Sequence, residues 1–463
     1  VTAGKTAWIA IALAGAGCAS VSRDAGIADV GAMAKQGLGR QIQFRTGGKE
    51  DGQVDARVKA LLQEELTPES AVEIALLNNP ALQVTFADLG IAQAELVQAG
   101  LLRNPTFGAS AGFPSGSGSS PSGSGANSNV SFRFSLSQDL LDLLTLPLRK
   151  RVAGQQFEQA KLRVGDASLR LAGEAREAYF ALAAAEQMGE MLGTIVEAQR
   201  ASAEFSSKLR EAGNVRALDL EMEIDAYETA RATFARAQTE AVLARERFAR
   251  ILGVWGEQLK FKLALLPELP PGEAPLEHLE TLALERRLDV QSARREVEAI
   301  SYAASLQGST RFFPAVQVGV DMEKDPEGNR VIGPSLSLEL PIFDQGQARA
   351  ARVAALVRQS EARLAGQAVN ARSEVRSARD RLLAERALVE HYRNEVIPRR
   401  VKVMQLSMLQ YNAMQVGLNL VLQAKQREID GYLNYIGAVR DYWIARSQLE
   451  LAIGVPLQPP GSR

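Results

Sequence analysis

From Asn127 to Leu140 the chain reads NSNVSFRFSLSQDL, with Val130, Phe132, Phe134 and Leu136 alternating with Ser131, Arg133, Ser135 and Ser137. Alternation with period two predicts a strand with one apolar and one polar face. Three further runs alternate in the same way. They hold Phe107, Ala109, Ala111 and Phe113; Val316, Val318, Val320 and Met322; and Ile332, Pro334, Leu336, Leu338 and Leu340. The expected strands are about 106–113, 130–137, 315–322 and 331–340, forming two hairpins. The first hairpin loop, PSGSGSSPSGSGANSN (Pro114 to Asn129), is Gly/Ser-rich and suits a solvent-exposed tip. The second, EKDPEGN (Glu323 to Asn329), reads as a compact turn.

Elsewhere the apolar period is helical. Residues 148–212 run 65 positions without proline, roughly 100 Å if helical throughout at ~1.5 Å per residue. Val164, Leu171, Ala178, Ala185 and Leu192 fall seven apart, as do Ser168, Ala175, Leu182, Gly189 and Val196. Val357, Leu364, Ala371 and Ala378, and also Ala368, Val375, Leu382 and Val389, repeat that spacing later. A sustained heptad implies helices that coil on neighbours, and small seam residues imply close axes. Long helices are expected at about 148–212, 215–252, 345–411 and 418–453. Gly213 can stop the first of these in a left-handed turn, and the matching turn NAMQVG offers Asn412 and Gly417.

The order of elements repeats. FARILGV (Phe248 to Val254) is echoed by LELAIGV (Leu449 to Val455), an offset of 201 (455 − 254). At that offset REAGNVRALDLEMEIDA (Arg210 to Ala226) lies over YNAMQVGLNLVLQAKQR (Tyr411 to Arg427). Earlier, AVEIALLNNPAL from Ala71 lies over TLALERRLDV from Thr281. Each half is expected to run short helix, strand, loop, strand, long helix, turn, long helix. The resulting division is 1–17 signal peptide, 18–65 N-terminal lipidated linker, 66–264 first repeat, 265–275 Pro-rich linker, 276–455 second repeat and 456–463 tail.

Composition changes the picture in two places. The chain has 53 basic and 54 acidic residues, for a formal charge of −1, which gives no global attraction to nucleic acid. Its single cysteine, Cys18, follows Lys5 and the apolar run AWIAIALAGAG (Ala7 to Gly17). A basic start, a short apolar segment and small residues read as an export signal, too short to remain as a membrane span. Cleavage before Cys18 would make it a lipidated first residue, the favoured reading; the alternative is an ordinary signal peptidase acting at Ala14-Gly15-Ala16.

Two hairpins with one apolar face open to water do not make a stable independent sheet, and they leave two unpaired edges. In lipid, nothing but closure satisfies those edges. The apolar faces would then touch lipid, and Ser131, Arg133, Gln317, Asp321 and Glu339 would line water. The expected fold is mainly α with a small β part.

SAVEIALLNNPALQ, RNPTF, REAGNVRALDLEMEIDA and the closing ILGV and AIGV together resemble the TolC-like outer-membrane efflux family, over about Leu66 to Val455. The resemblance implies a homotrimer with four transmembrane strands per subunit in one closed barrel. Two structural repeats would give a long coiled α-helical barrel in the periplasm. It also implies a periplasmic adaptor, an inner-membrane pump of the RND type, outer-membrane lipid around the strands, and a lipid attachment at Cys18. Adaptor contacts would fall at the helix-turn tips, on Gly213, Asn214, Met414 and Gly417. Members often carry an acid six positions after the first-turn glycine, here Asp219, and an aromatic three before the second, here Tyr411. These are the implied periplasmic gate residues. This chain departs from the pattern at Met414 (for glycine), Leu420 (for an acid) and Val416 (for a base). A solvated helix-start acid and a half-buried packing tyrosine are the plainer roles of Asp219 and Tyr411.

Catalytic signatures are missing: there is no phosphate loop, no Gly-x-Ser-x-Gly elbow and no His-Glu-x-x-His. With one cysteine and two histidines, no metal site and no cofactor are expected. Met404, Met408 and Met414 fit packing better than a soft-metal site. The expected function is a passive exit duct for drugs or metal cations, with no enzyme activity. The alternatives are a polypeptide secretion duct and a poreless periplasmic coiled-coil lipoprotein scaffold.

Overall fold

The computed structural model describes residues 22, 25–38, 51–113, 130–273, 275–309, 316–324 and 329–457. Cys18, the segment expected to be a signal peptide, the Gly/Ser loop and the residues beyond 457 lie outside the described residues. In chain order the elements are α1 (Ile27–Leu38), α2 (Asp51–Gln63), β1 (Glu65–Leu66), α3 (Pro68–Asn78), α4 (Pro80–Ala99), β2 (Thr106–Gly112), β3 (Ser131–Asp139), α5 (Leu140–Glu211) and α6 (Ala217–Leu252). A 3-10 helix (Gly256–Leu259) and β4 (Lys262–Leu263) follow. Then come α7 (Leu279–Arg286), α8 (Leu288–Ser309), β5 (Val316–Lys324), β6 (Arg330–Leu338), α9 (Gln347–His391), a π-helical turn (Tyr392–Val396), α10 (Ile397–Asn412) and α11 (Leu418–Ile453). These divide into two compact units: Val1–Gly26, Asp88–Ala160 and Ser292–Gly366 form one, and Ile27–Ala87, Lys161–Gln291 and Gln367–Arg463 the other.

The first unit contains a four-stranded antiparallel sheet in the order β2-β3-β5-β6. Its register gathers the alternating residues onto single faces, because directly paired residues share a face. Phe107 pairs with Leu136, Leu136 with Val320, and Val320 with Pro334. The opposite face pairs Ser110 with Arg133 and Arg133 with Glu323. Arg133 and Glu323 also form an ion pair at 3.0 Å.

Two boundaries in the helices differ from the sequence expectation. The helix expected from Leu148 begins at Leu140, with Pro147 inside it. Asp139 ends β3 and caps α5: its Oδ1 accepts from the backbone N–H of Leu141 at 3.0 Å and of Asp142 at 3.3 Å. That cap starts the helix two turns early, and the helix runs on through Pro147 although proline there forgoes an N–H bond and crowds the carbonyl four residues back. The helix expected over 345–411 is broken by the π-helical turn at Tyr392–Val396, where the Ile397 N–H bonds the Tyr392 carbonyl. Pro398 follows at the start of α10 and has no N–H to continue a regular ladder.

The second unit holds the larger core. Val164, Ser168, Leu171, Ala175, Ala178 and Leu182 of α5 are buried, as are Ala371, Val375, Leu382 and Val389 of α9. The heptad positions read from the sequence are thus the inward face. Tyr179, Phe180, Phe248, Phe261 and Trp443 form a run of ring contacts with centroids 5.5–6.1 Å apart.

The motif Asn78-Asn79-Pro80 ties this core together. Asn78 Nδ2 donates to the carbonyls of Leu252 (3.1 Å) and Gly253 (2.7 Å), and Asn79 Nδ2 to that of Ile251 (2.8 Å). Asn79 Oδ1 caps α4 by accepting from the N–H groups of Ala81 and Leu82. Gly253 closes α6 at φ +69°, and an added Cβ would lie 2.6 Å from the Asn78 carbonyl oxygen. Glycine is required there twice over, by conformation and by space.

Candidate functional site

The two helix turns, α5–α6 and α10–α11, carry six of the seven residues singled out in the sequence; the seventh, Cys18, lies outside the described residues. Their backbones match bond for bond. In the first, Gly213 N–H donates to Arg210 (3.0 Å) and Asn214 N–H to Leu209 (2.9 Å). In the second, Met414 N–H donates to Tyr411 (2.8 Å) and Gln415 N–H to Gln410 (2.9 Å). Both are helix stops with a left-handed residue, Gly213 at φ +77° and Met414 at φ +59°. The stop in the second turn is therefore Met414, and neither Asn412 nor Gly417 supplies it. Asn412 is the last residue of α10, and Gly417 is the extended cap that opens α11. Sequence patterns favour glycine or asparagine at such a stop, so methionine gave no signal.

Asp219 lies in the first turn of α6. Arg216, the cap residue of that helix, grips it with two bonds: Nε to Oδ2 at 2.8 Å and Nη2 to Oδ1 at 2.9 Å. The hydrogen bond from Arg216 holds the Asp219 carboxyl below its ordinary range. The carboxylate at this turn is thus already partnered within its own helix start. Tyr411 sits on α10, three residues before Met414, and is partly exposed. Its hydroxyl makes no hydrogen bond among the described residues, so the structure does not join it to Asp219. The Arg216–Asp219 pair was not foreseen, although its i, i+3 spacing across a helix start was the available signal.

Two buried carboxylates also escaped the sequence reading. Glu223 on α6 is 3% exposed and accepts from Ser202 Oγ of α5 at 2.8 Å. Glu273 of the Pro-rich linker accepts from Arg386 (2.8 Å), Arg446 (2.8 Å) and Tyr442 (2.6 Å). Nothing in LLPELPPGEAP distinguishes Glu273 from an ordinary loop acid.

Apolar side chains dominate the surface near the second turn: Leu409, Met414 and Leu420 are exposed, Met414 at 94%. Among the described residues no group of three or more His, Cys, Asp or Glu is placed to hold a metal ion. No helix among them is long and apolar enough to cross a membrane.

Residues 71–254 match the family model described as outer membrane efflux protein. No curated protein matches the chain at a significant level. Solved structures match over most of its length. A membrane protein from Pseudomonas aeruginosa is 22% identical, with 86% of this chain and 93% of that one covered at a TM-score of 0.71. The Campylobacter jejuni CmeC outer membrane channel is 16% identical, with 91% of each chain covered at 0.72. The outer membrane protein VceC from Vibrio cholerae is 17% identical, with 87% and 97% covered at 0.70. At such identities the likeness is one of fold. Residues 71–254 thus resemble the outer membrane efflux protein family, and the chain shares the fold of these solved structures.

Proposed function

We propose that this chain is the passive exit duct of a tripartite efflux system, set in the bacterial outer membrane and catalysing no reaction. The observation that carries the reading is the four-stranded sheet. Phe107, Leu136, Val320, Ile332 and Leu336 stand exposed on it, and the outer edges of β2 and β6 have no partner strand among the described residues. Copies of the same chain would satisfy those edges, and lipid would cover the apolar face. Three copies would close one barrel, with the two matched halves of each subunit as repeats and the long helices forming a periplasmic tunnel.

Cargo would be drugs or metal cations delivered by an inner-membrane pump of the RND type through a periplasmic adaptor. The adaptor would meet the tips at Gly213, Asn214, Met414 and Gly417, and Cys18 would anchor the chain by lipid. Asp219 and Tyr411 would flank the periplasmic gate; their placement beside two turns of identical bonding supports this. Along the chain the two repeats would span 66–264 and 276–455, joined by the linker 265–275.

Two experiments test the reading. Purified protein reconstituted in planar bilayers should give discrete conductance steps; their absence from folded protein would favour a poreless scaffold. A deletion strain, against its complemented control, should become sensitive to metals or to dyes and antibiotics. Unchanged sensitivity with intact conductance would point to polypeptide export.

A further inference from the structure

A cleft of about 910 Å³ opens in the second unit between α2, the 3-10 helix and the parallel pair β1–β4. Its floor is apolar, made by buried Val58 and half-buried Leu62. Over it stands Trp255, 81% exposed. One exposed apolar side chain needs no special account. Trp255 differs because its mounting is rigid. It lies two residues past Gly253, whose backbone is held by Asn78 and which tolerates no side chain. Its own carbonyl accepts from Gln258 N–H at 3.3 Å as the 3-10 helix begins. An indole plate is thus presented to solvent beside a cleft whose size suits a small-molecule site, about 300–1,000 Å³.

The walls narrow the chemistry. Lys59, Lys260 and Lys262 line the cleft together with acids that include Glu64, Glu65 and Glu257. Lys260 and Glu257 pair at 2.6 Å. Interleaved charges of both signs do not draw a phosphate or a nucleic acid, which need a net positive cleft. A hard cation needs carboxylates without lysines among them. What fits is a polar ligand with an apolar C–H face for the indole, hydroxyl or amide groups for the walls, and charges of both signs. An aminosugar strand carrying short zwitterionic peptides has those features.

We propose that this cleft binds the peptidoglycan strand of the cell wall, with Trp255 stacked on a sugar ring and Lys59, Lys260 and Lys262 facing the peptide carboxylates. The inference uses the reading that the chain is exported. It does not depend on conduction, so its failure and the failure of the duct reading are separately visible.

The test is co-sedimentation of the full-length, detergent-purified protein with isolated peptidoglycan sacculi. Wild type should sediment with them, and Trp255→Ala should weaken binding by about tenfold or more. Trp255→Phe should keep part of it. In a background with both Trp8→Phe and Trp443→Phe, an N-acetylglucosamine tetramer should quench the emission of Trp255. The proposal is overturned if wild type stays in the supernatant, or if Trp255→Ala binds equally with an unchanged melting temperature. It is also overturned if Trp255→Ala breaks up the oligomer, which would make the cleft a seam between copies. Binding to lipopolysaccharide without binding to sacculi would overturn it as well.

Discussion

Met414 adopts φ +59° at the position in the second helix turn where Gly213 adopts φ +77° in the first. A residue with a Cβ in that region carries about 1–2 kcal/mol of strain. The Met414 side chain is 94% exposed, so packing within the chain does not offset it. Met414→Gly should raise the free energy of unfolding by about 0.5–1 kcal/mol, strain relief being partly cancelled by the entropy of glycine. Gly213→Ala should lower it by about 1 kcal/mol through strain alone, because nothing lies within 4 Å of an added Cβ. Denaturant midpoints of the two variants should move in opposite directions; shifts of the same sign would refute the strain account.

Gly253→Ala should be far worse than Gly213→Ala, although both glycines are left-handed. At Gly253 the new methyl group would meet the Asn78 carbonyl oxygen at 2.6 Å. That carbonyl belongs to a junction already fixed by the bonds of Asn78 and Asn79 to α6. Strain and overpacking together should destabilise by about 2–4 kcal/mol. Thermal melts of the two alanine variants, side by side, check the ranking.

The sequence shows most plainly what is periodic. Phe132, Phe134 and Leu136 marked β3 because alternation has one structural solution, and Leu171, Ala178 and Leu182 marked the inner face of α5 for the same reason. Single-residue conformations were hidden where the residue type argues against them. Pro147 looked like a boundary because it cannot donate, yet Asp139 caps the helix eight positions earlier. Met414 gave no hint of a left-handed backbone. Partnerships between distant residues were hidden too: Glu273 meets Arg386 and Arg446 only once the linker folds back on the second-half helices. The Arg216–Asp219 pair, by contrast, is only three residues apart across a helix start, a spacing the sequence does display.

Asp219 should be insensitive to pH through the neutral range. Its carboxyl is held below the ordinary value of 3.8, first by the hydrogen bond from Arg216. A depressed carboxyl contributes stability that is present above the unfolded value and is lost as pH falls through the folded one. If the pair helps hold the mouth shut, leak conductance in planar bilayers should be flat from about pH 8 to about pH 5 and rise only in stronger acid. Asp219→Ala should leak at all of these pH values, and Arg216→Ala should move the acid transition upward. A well-folded Asp219→Ala protein with wild-type conductance would reduce Asp219 to an ordinary helix-start acid.

Glu273 is the node where the inter-repeat linker is fastened. Its side chain is 8% exposed and faces two arginines that are nearly as buried, Arg386 and Arg446 at 16% and 11%. Breaking a buried pair from one side leaves uncompensated charge, at a cost of about 3–5 kcal/mol. Glu273→Gln keeps the shape and removes the charge, so it should destabilise by about 3 kcal/mol. The same node predicts an alkaline response. Burial, and next the hydrogen bond to Glu273, push the Tyr442 hydroxyl from 10.0 up to about 12. The folded chain therefore keeps its phenol proton where the unfolded chain releases it. That contribution is fully present below pH 10 and is lost as pH rises through about 12. Tyr442→Phe has no proton to lose, so its stability should decline less steeply over that window than wild type. Denaturant titrations at pH 9, 10 and 11 read the difference, and equal slopes would show that Tyr442 ionises alike in both states.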